Sequence, residues 1–308
     1  MTFFKKISFL IFSLIFSFSL TSLPIQGIFD KALVKKNLEN FTECGIDLES
    51  KRDIKLIVSL TSFPKRMSDG AVECALYSLL TQSLKPDKII LWLKSDECEN
   101  YKIPEKITNL TKNGLEIKWI PENIRSYAKL LPALEQFPND IIVTADDDIY
   151  YDSDWLEKLY KSYLKNPKFI HCHRAHKVIL SENFLPINYL KWIRRLNYFG
   201  NEKPSYFYFF TGAGGVLYPP KVLYKDILNY KLAKNLCPTN DDIWFWAMAV
   251  LNKTKINIVE GNYPKVCEVG SGGVTLSSVN NGRGQNDIQI DKIFKYYPEL
   301  IKILSEEK

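Results

Sequence analysis

The sequence predicts an α/β protein: a mostly parallel sheet flanked by helices, preceded by an apolar N-terminal leader. Three observations carry this. β-rich runs at 54–60, 88–93, 115–120 and 141–145 alternate with helical segments at 71–81, 126–137 and 154–164. Two of those runs pass directly into polar motifs, Thr61-Ser62-Phe63-Pro64-Lys65-Arg66 and Asp146-Asp147-Asp148. Strand carboxyl ends are where open α/β sheets bind ligands.

Composition narrows the function classes. With 308 residues, 46% hydrophobic and 13% aromatic, and a net charge of only +6, the chain can bury a sizeable core, which excludes extended disorder. A single apolar run approaches spanning length, which excludes a multi-span membrane protein. The 41 Lys and Arg and 35 Asp and Glu are spread along the chain without a basic block, so no dedicated nucleic-acid binder is expected. Anionic small ligands fit this balance.

The elements follow in order. Lys5 and Lys6 precede an apolar run from Ile7 to Leu20, prolonged less strongly to Ile28. This is a secretory signal peptide or a membrane anchor. The length through Ile28, ~22 residues, and the lack of a small-x-small cleavage site favour an anchor, although Pro24 and Gly27 weaken its far end. The expected organisation is leader 1–28, stem 29–53, main domain 54–290 and C-terminal helix 291–308. Localisation is membrane-associated through the leader, or secreted or periplasmic where the leader is cleaved. The six cysteines show no CxxC and no zinc spacing, and Cys74 reads as core. The second half is less regular: a strand at 169–172, an aromatic run at 206–210, Thr211-Gly212-Ala213-Gly214-Gly215, a helix at 241–251, a strand at 256–259 and a last helix near 289–304.

Asp146-Asp147-Asp148 is the strongest chemical signal. In extended backbone Asp146 and Asp148 point to one side and Asp147 to the other. Two carboxylates facing one spot repel unless a cation or proton sits between them. An oxygen-only donor set suits Mg²⁺ or Mn²⁺, which bridge to phosphate oxygens. A calcium loop begun at Asp146 would need Gly where Tyr151 stands.

The segments VSLTSFPKR, LLPAL, TADDDIYY, TGAGGVLYPP and CPTNDDIWFWAMA, in that order over residues 54–290, resemble GT-A-fold glycosyltransferases of the bacterial family-2-like, surface-polysaccharide type. The resemblance implies a Rossmann-like nucleotide-sugar transferase fold. It implies that Asp146 and Asp148 hold Mn²⁺ or Mg²⁺ against the diphosphate of a nucleotide-sugar donor. It places Thr61, Pro64 and Arg66 along the nucleotide pocket, with Asp147 among the donor-binding residues. Lys129 either reaches a phosphate or the donor ribose, or sits on a solvated helix face. Asp242, with Asp241 second, would remove the proton from the hydroxyl of a saccharide or glycolipid acceptor, as in inverting enzymes of this fold. Residue types alone leave a structural alternative: Thr239 as N-cap puts Asp242 at the third helical position, where an acid is favoured by the helix dipole. The stretch 280–287 resembles the C-terminal loop that closes over the donor and often supplies a metal-ligating His; here no His follows His176.

His171, His173 and His176 form the only histidine cluster, and His171 and His173 would share a face in extended backbone. The one thiol in this stretch, Cys172, would point to the opposite face and no acid completes a metal site, which leaves acceptor-binding or structural roles. Two other functions fit the composition. One is a sugar nucleotidyltransferase, although TSFPKRM replaces the Gly-rich basic loop usual after its first strand. The other is a non-catalytic surface glycan-binding module.

Overall fold

The computed structural model describes residues 31–68, 70–95, 102–196, 203–259, 265–266, 280, 282 and 284–307. The leader 1–28, and Asn281 and Arg283 of the 280–287 stretch, lie outside the described residues. Among the described residues no helix is long and apolar enough to cross a membrane.

The chain runs α1 (Lys31–Glu39), β1 (Leu56–Thr61), α2 (Pro64–Ser68), α3 (Ala71–Leu80), β2 (Lys88–Lys94), α4 (Glu105–Thr108), β3 (Leu115–Ile120), α5 (Leu131–Gln136) and β4 (Ile141–Thr144). It continues through β5 (Ile149–Tyr150), α6 (Trp155–Lys165), β6 (Ile170–Cys172), β7 (Ala175–Lys177), β8 (Ile193–Leu196), β9 (Tyr208–Phe210) and β10 (Val216–Tyr218). Then come α7 (Tyr230–Leu236), α8 (Asp241–Leu251), β11 (Ile256–Ile258), β12 (Lys265–Val266), α9 (Gln285–Tyr296) and α10 (Glu299–Glu307). Seven strands form the main sheet in the order β11-β6-β10-β4-β1-β2-β3. All pairings are parallel except those of β10 with β4 and β6. The α/β class and the mostly parallel sheet expected from the sequence are therefore present.

The central strands β1, β2 and β4 are largely apolar on both faces because both faces are covered. Leu56, Val58 and Leu60 of β1 pack with Val72, Leu76 and Leu79 of α3. Ile57 points the other way, into the cluster that holds α8, α9 and α10. Every residue of α8 from Ile243 to Val250 is buried, as its all-round apolar sequence demands.

Strand order decides where a ligand can enter. From β1 the chain builds outward to β2 and β3, then returns to place β4 on the opposite side of β1. The crevice between the carboxyl ends of β1 and β4 is thus the point where the winding reverses, the usual ligand position in such sheets. Ser59 pairs with Thr144 in this register, so the TSFPKR and DDD motifs leave the sheet side by side.

Two elements differ from the expectation. Residues 126–137 hold a 3-10 turn, Arg125–Lys129, followed by α5, and Pro132 lies in the first turn of α5. A proline there lacks only an N–H that has no intrahelical acceptor, so it is tolerated at the start of the helix. The last helix is two helices, because Pro298 forces Tyr297 out of helical backbone. Ile293, Phe294, Leu300 and Leu304 bury both in the main core.

Candidate functional site

Lys129 is the centre of a cluster of charged side chains beyond the ends of β1 and β4. Its carbonyl accepts a 2.7 Å hydrogen bond from Ser59 Oγ, and Ser59 is held in turn by Trp92 Nε1 at 2.9 Å. The neighbouring Tyr127 donates its hydroxyl to Cys237 O at 2.7 Å, tying the 3-10 turn to the approach of α8. The Lys129 side chain, 8% exposed, places Nζ 3.1 Å from both Asp146 Oδ1 and Asp241 Oδ2. Burial pulls the pKa of this ammonium down, but Asp146, Asp241 and Asp242 more than offset it and hold it well above the usual lysine range. It stays charged. The solvated-face alternative for Lys129 does not hold, because the side chain is buried among acids.

The three aspartates lie in a turn between β4 and β5, not in extended strand, and each takes a different partner. Asp146 meets Lys129, and its backbone N–H donates to Tyr151 Oη at 2.8 Å. Asp147 accepts from Ser62 Oγ at 2.5 Å. Asp148 pairs with Arg66 Nη1 at 2.6 Å. Burial raises Asp147 to about 7, against the lowering effect of the Ser62 hydroxyl. Burial and the nearby Asp146 charge also raise Asp148, while Arg66 draws it back down. Pro64 opens α2 and so sets the turn that aims Arg66 at Asp148. Arg66 also sits 5.8 Å over the ring of Phe63, which is 42% exposed at the rim. Thr61 turns inward, donating its hydroxyl to Trp92 O at 2.9 Å. It is not a free polar group.

On the opposite wall the capping expectation is corrected. The N-cap of α8 is Asn240, not Thr239: the Asn240 side chain accepts from Asp242 N at 3.1 Å. Thr239 cannot cap, because its hydroxyl donates to Asn280 Oδ1 at 2.6 Å. Neither carboxylate is therefore needed to close the helix. Asp241 turns to Lys129, and Asp242 accepts from Gly212 N through both oxygens, at 3.2 and 3.1 Å. Burial, then the Asp241 charge, raises Asp242 to about 7 against the lowering pull of Lys129 and Gly212 N.

The glycine loop forms a 3-10 turn, Gly212–Gly214. A Cβ on Gly212 would lie 2.5 Å from Lys129 Nζ, 3.3 Å from Asp242 Oδ1 and 3.4 Å from Asp146 Oδ1, so this glycine leaves room where the two walls face each other. Gly215 has φ +86 and lies against Trp155, whose indole N–H donates to Gly214 O at 2.8 Å. No side chain fits there.

The histidines stand apart from this cleft chemistry. His171 Nδ1 lies 2.8 Å from Ser162 Oγ, His173 Nε2 lies 3.0 Å from Trp155 O, and His176 packs against Tyr189 and Phe209. All three are buried. Sequence reasoning missed Ser62, Tyr151 and Asn240 as partners. The Ser62–Asp147 pair was the most accessible of these, since both residues belong to motifs at neighbouring strand ends.

Replacing Lys129 with Met leaves Asp146 and Asp241 facing each other without their cation. Lys129→Met should destabilise the fold by about 3 kcal/mol near pH 8. Denaturant unfolding near pH 8 checks this, and a stability equal to that of wild type would contradict it.

A family model described as Glycosyl transferase family 2 matches residues 71–224, half of the chain. The matched span includes Lys129, the aspartate triplet and the glycine loop, and ends before Asp241. No curated protein sequence matches. Among solved structures, TarS residues 1–349 of S. aureus is 14% identical with a TM-score of 0.42, covering 68% of this chain and 59% of that one. UTP-bound UGPase from Acinetobacter baumannii is 14% identical with a TM-score of 0.41, covering 82% and 96%. The 4-diphosphocytidyl-2C-methyl-D-erythritol synthase of Anaerococcus prevotii is 16% identical with a TM-score of 0.43, covering 75% and 99%. On the strength of the family match, this chain belongs to glycosyl transferase family 2 and is a glycosyltransferase.

Proposed function

We propose that the enzyme transfers a sugar from a nucleotide-sugar donor to a hydroxyl of a saccharide or glycolipid acceptor, with inversion at the anomeric carbon. The observation that carries this reading is the convergence of Asp242, Asp146 and Lys129 on Gly212, whose missing side chain lets the groups of the two walls approach each other. One wall then holds the donor diphosphate and the other holds a base.

The residues divide the work by their chemistry. Lys129 and Arg66 supply positive charge to the leaving diphosphate, and Asp147 and Phe63 line the nucleotide side. Asp242 accepts the acceptor proton, the oxygen forms a bond to the anomeric carbon, and the bond to the diphosphate breaks with its electron pair leaving on phosphate. A carboxyl held near 7 is suited to this, because it is deprotonated at working pH yet basic enough to take a proton. Asp241 neutralises Lys129 and raises its neighbour.

The donor set also fits Mg²⁺ or Mn²⁺ bound together with substrate. Asp146 and Asp148 offer oxygens only, and no group of three His, Cys, Asp or Glu among the described residues is arranged to hold a metal alone. Two carboxylates completed by phosphate oxygens and water is the usual Mg²⁺ arrangement. Bound there, the ion would withdraw charge from the leaving group.

Asp242→Asn should lower kcat by about 10²–10⁴-fold with donor KM changed little, measured by transfer from a panel of labelled nucleotide-sugars. Wild-type kcat/KM should fall as pH drops through about 7, where Asp242 gains its proton. The stability sign is opposite. A carboxyl raised from 3.8 to about 7 favours the fold at acid pH, and that contribution is lost as pH rises through 7. Asp242→Asn should therefore be more stable than wild type above pH 7. Retained transfer in Asp242→Asn would assign the base to another residue.

The leader suits an acceptor carried by a lipid, as an anchor beside the membrane where such an acceptor resides. Removing residues 1–28 should release the enzyme from membrane pellets. Equal fractionation of both chains as soluble protein would overturn the anchor.

A further inference from the structure

The turn that seats Asp241 and Asp242 is gripped from behind by α9. Gln289 is fully buried, 0% exposed, and its side-chain amide is saturated. Its Oε1 accepts from Thr239 N at 3.0 Å and Asn240 N at 3.1 Å. Its Nε2 donates to Thr239 Oγ1 at 3.0 Å and to Gln285 O at 2.9 Å. Asn286, 2% exposed, accepts from Asn240 Nδ2 at 2.8 Å. Asn280 closes the group, donating to Thr239 O at 2.9 Å. The other end of the Asn240 side chain accepts from Asp242 N, and Asp242 meets Gly212 N. A continuous set of bonds thus runs from the C-terminal helix to the carboxylate that faces the cleft.

We infer that Gln289 is a positioning residue for sugar transfer. It fixes the Thr239–Asn240 turn and, through Asn240, aims Asp242. The inference rests on the reading of Asp242 as base. Gln289 itself has no route to substrate, being buried with all four of its bonds spent within the protein. An apolar side chain in its place would leave the Thr239 and Asn240 N–H groups, which face the buried Gln289, without their acceptor. The turn would shift to satisfy them and carry Asn240 and Asp242 with it. A displacement of about 1 Å at a reacting group is enough to lose about 10²-fold in rate. The donor wall is built on β1, β4 and the Lys129 turn, so donor binding should survive.

The full-length enzyme would be compared with Gln289→Met, of similar length but without hydrogen bonds, and Gln289→Glu, which keeps an acceptor for the two N–H groups. Asn286→Leu cuts the second bond to Asn240. Gln289→Met should lose about 10–100-fold in kcat with donor KM within about threefold. Gln289→Glu should restore most of that loss, and Asn286→Leu should shift kcat in the same direction as Gln289→Met. A merely structural residue would lower the unfolding midpoint and leave kcat of the folded enzyme unchanged. Folded Gln289→Met with kcat within twofold of wild type overturns the inference. If that variant does not fold, normal kcat in Asn286→Leu overturns it. Absence of transfer by wild type with every donor overturns the functional reading first, and this inference with it.

Discussion

Everything at the cleft is organised around one buried ammonium. Lys129 Nζ stands at 3.1 Å from Asp146 and from Asp241, residues that arrive from the end of β4 and the start of α8. Without that cation, the acids of the two walls would repel across a poorly solvated space. With it, they can be held close enough for one small donor to touch both. The lysine is placed by backbone, not by its own side chain: Ser59 in β1 holds its carbonyl, and Tyr127 fastens the same turn to Cys237. The sheet therefore sets the charge, and the charge sets the site.

The arrangement is also a compromise. Asp147 and Asp242 are both held near 7 chiefly by burial, so their charged forms oppose folding at neutral pH. The core can carry this because α8 is buried on every side and α9 and α10 close over it. Sites that hold groups at unusual pKa values commonly exchange stability for reactivity. The apolar strands and the wholly buried helix supply the surplus.

Much of this was legible in the sequence where the pattern is local. Apolar runs at 54–60, 88–93 and 141–145 mark strands that are covered on both sides. The aspartate triplet marks the rim because three adjacent carboxylates at the end of an apolar strand need water, a cation or protons to be tolerated there. The apolar run after Asp242 marks a buried helix with its N-terminus at the cleft. What the sequence hid is non-local. The backbone turns at the aspartate triplet, and Asp146 takes Lys129 while Asp148 takes Arg66, partners that no local pattern names. Thr239 looked like the cap of α8 until Asn280, some forty positions away, took its hydroxyl. Gln289 carried no signal at all, since a glutamine inside an amphipathic helix reads as surface. Side-chain bonds between distant segments have no period and no motif.

A calorimetric titration of the full chain with UDP, GDP and CMP, each with and without Mn²⁺, would test the donor wall before any acceptor is known. Binding of one of these nucleotides, strengthened by Mn²⁺ and abolished in Asp146→Ala/Asp148→Ala, is the expected result. A folded enzyme that binds none of them, or binds one equally well without those two carboxylates, would contradict the role given to the cleft between β1 and β4.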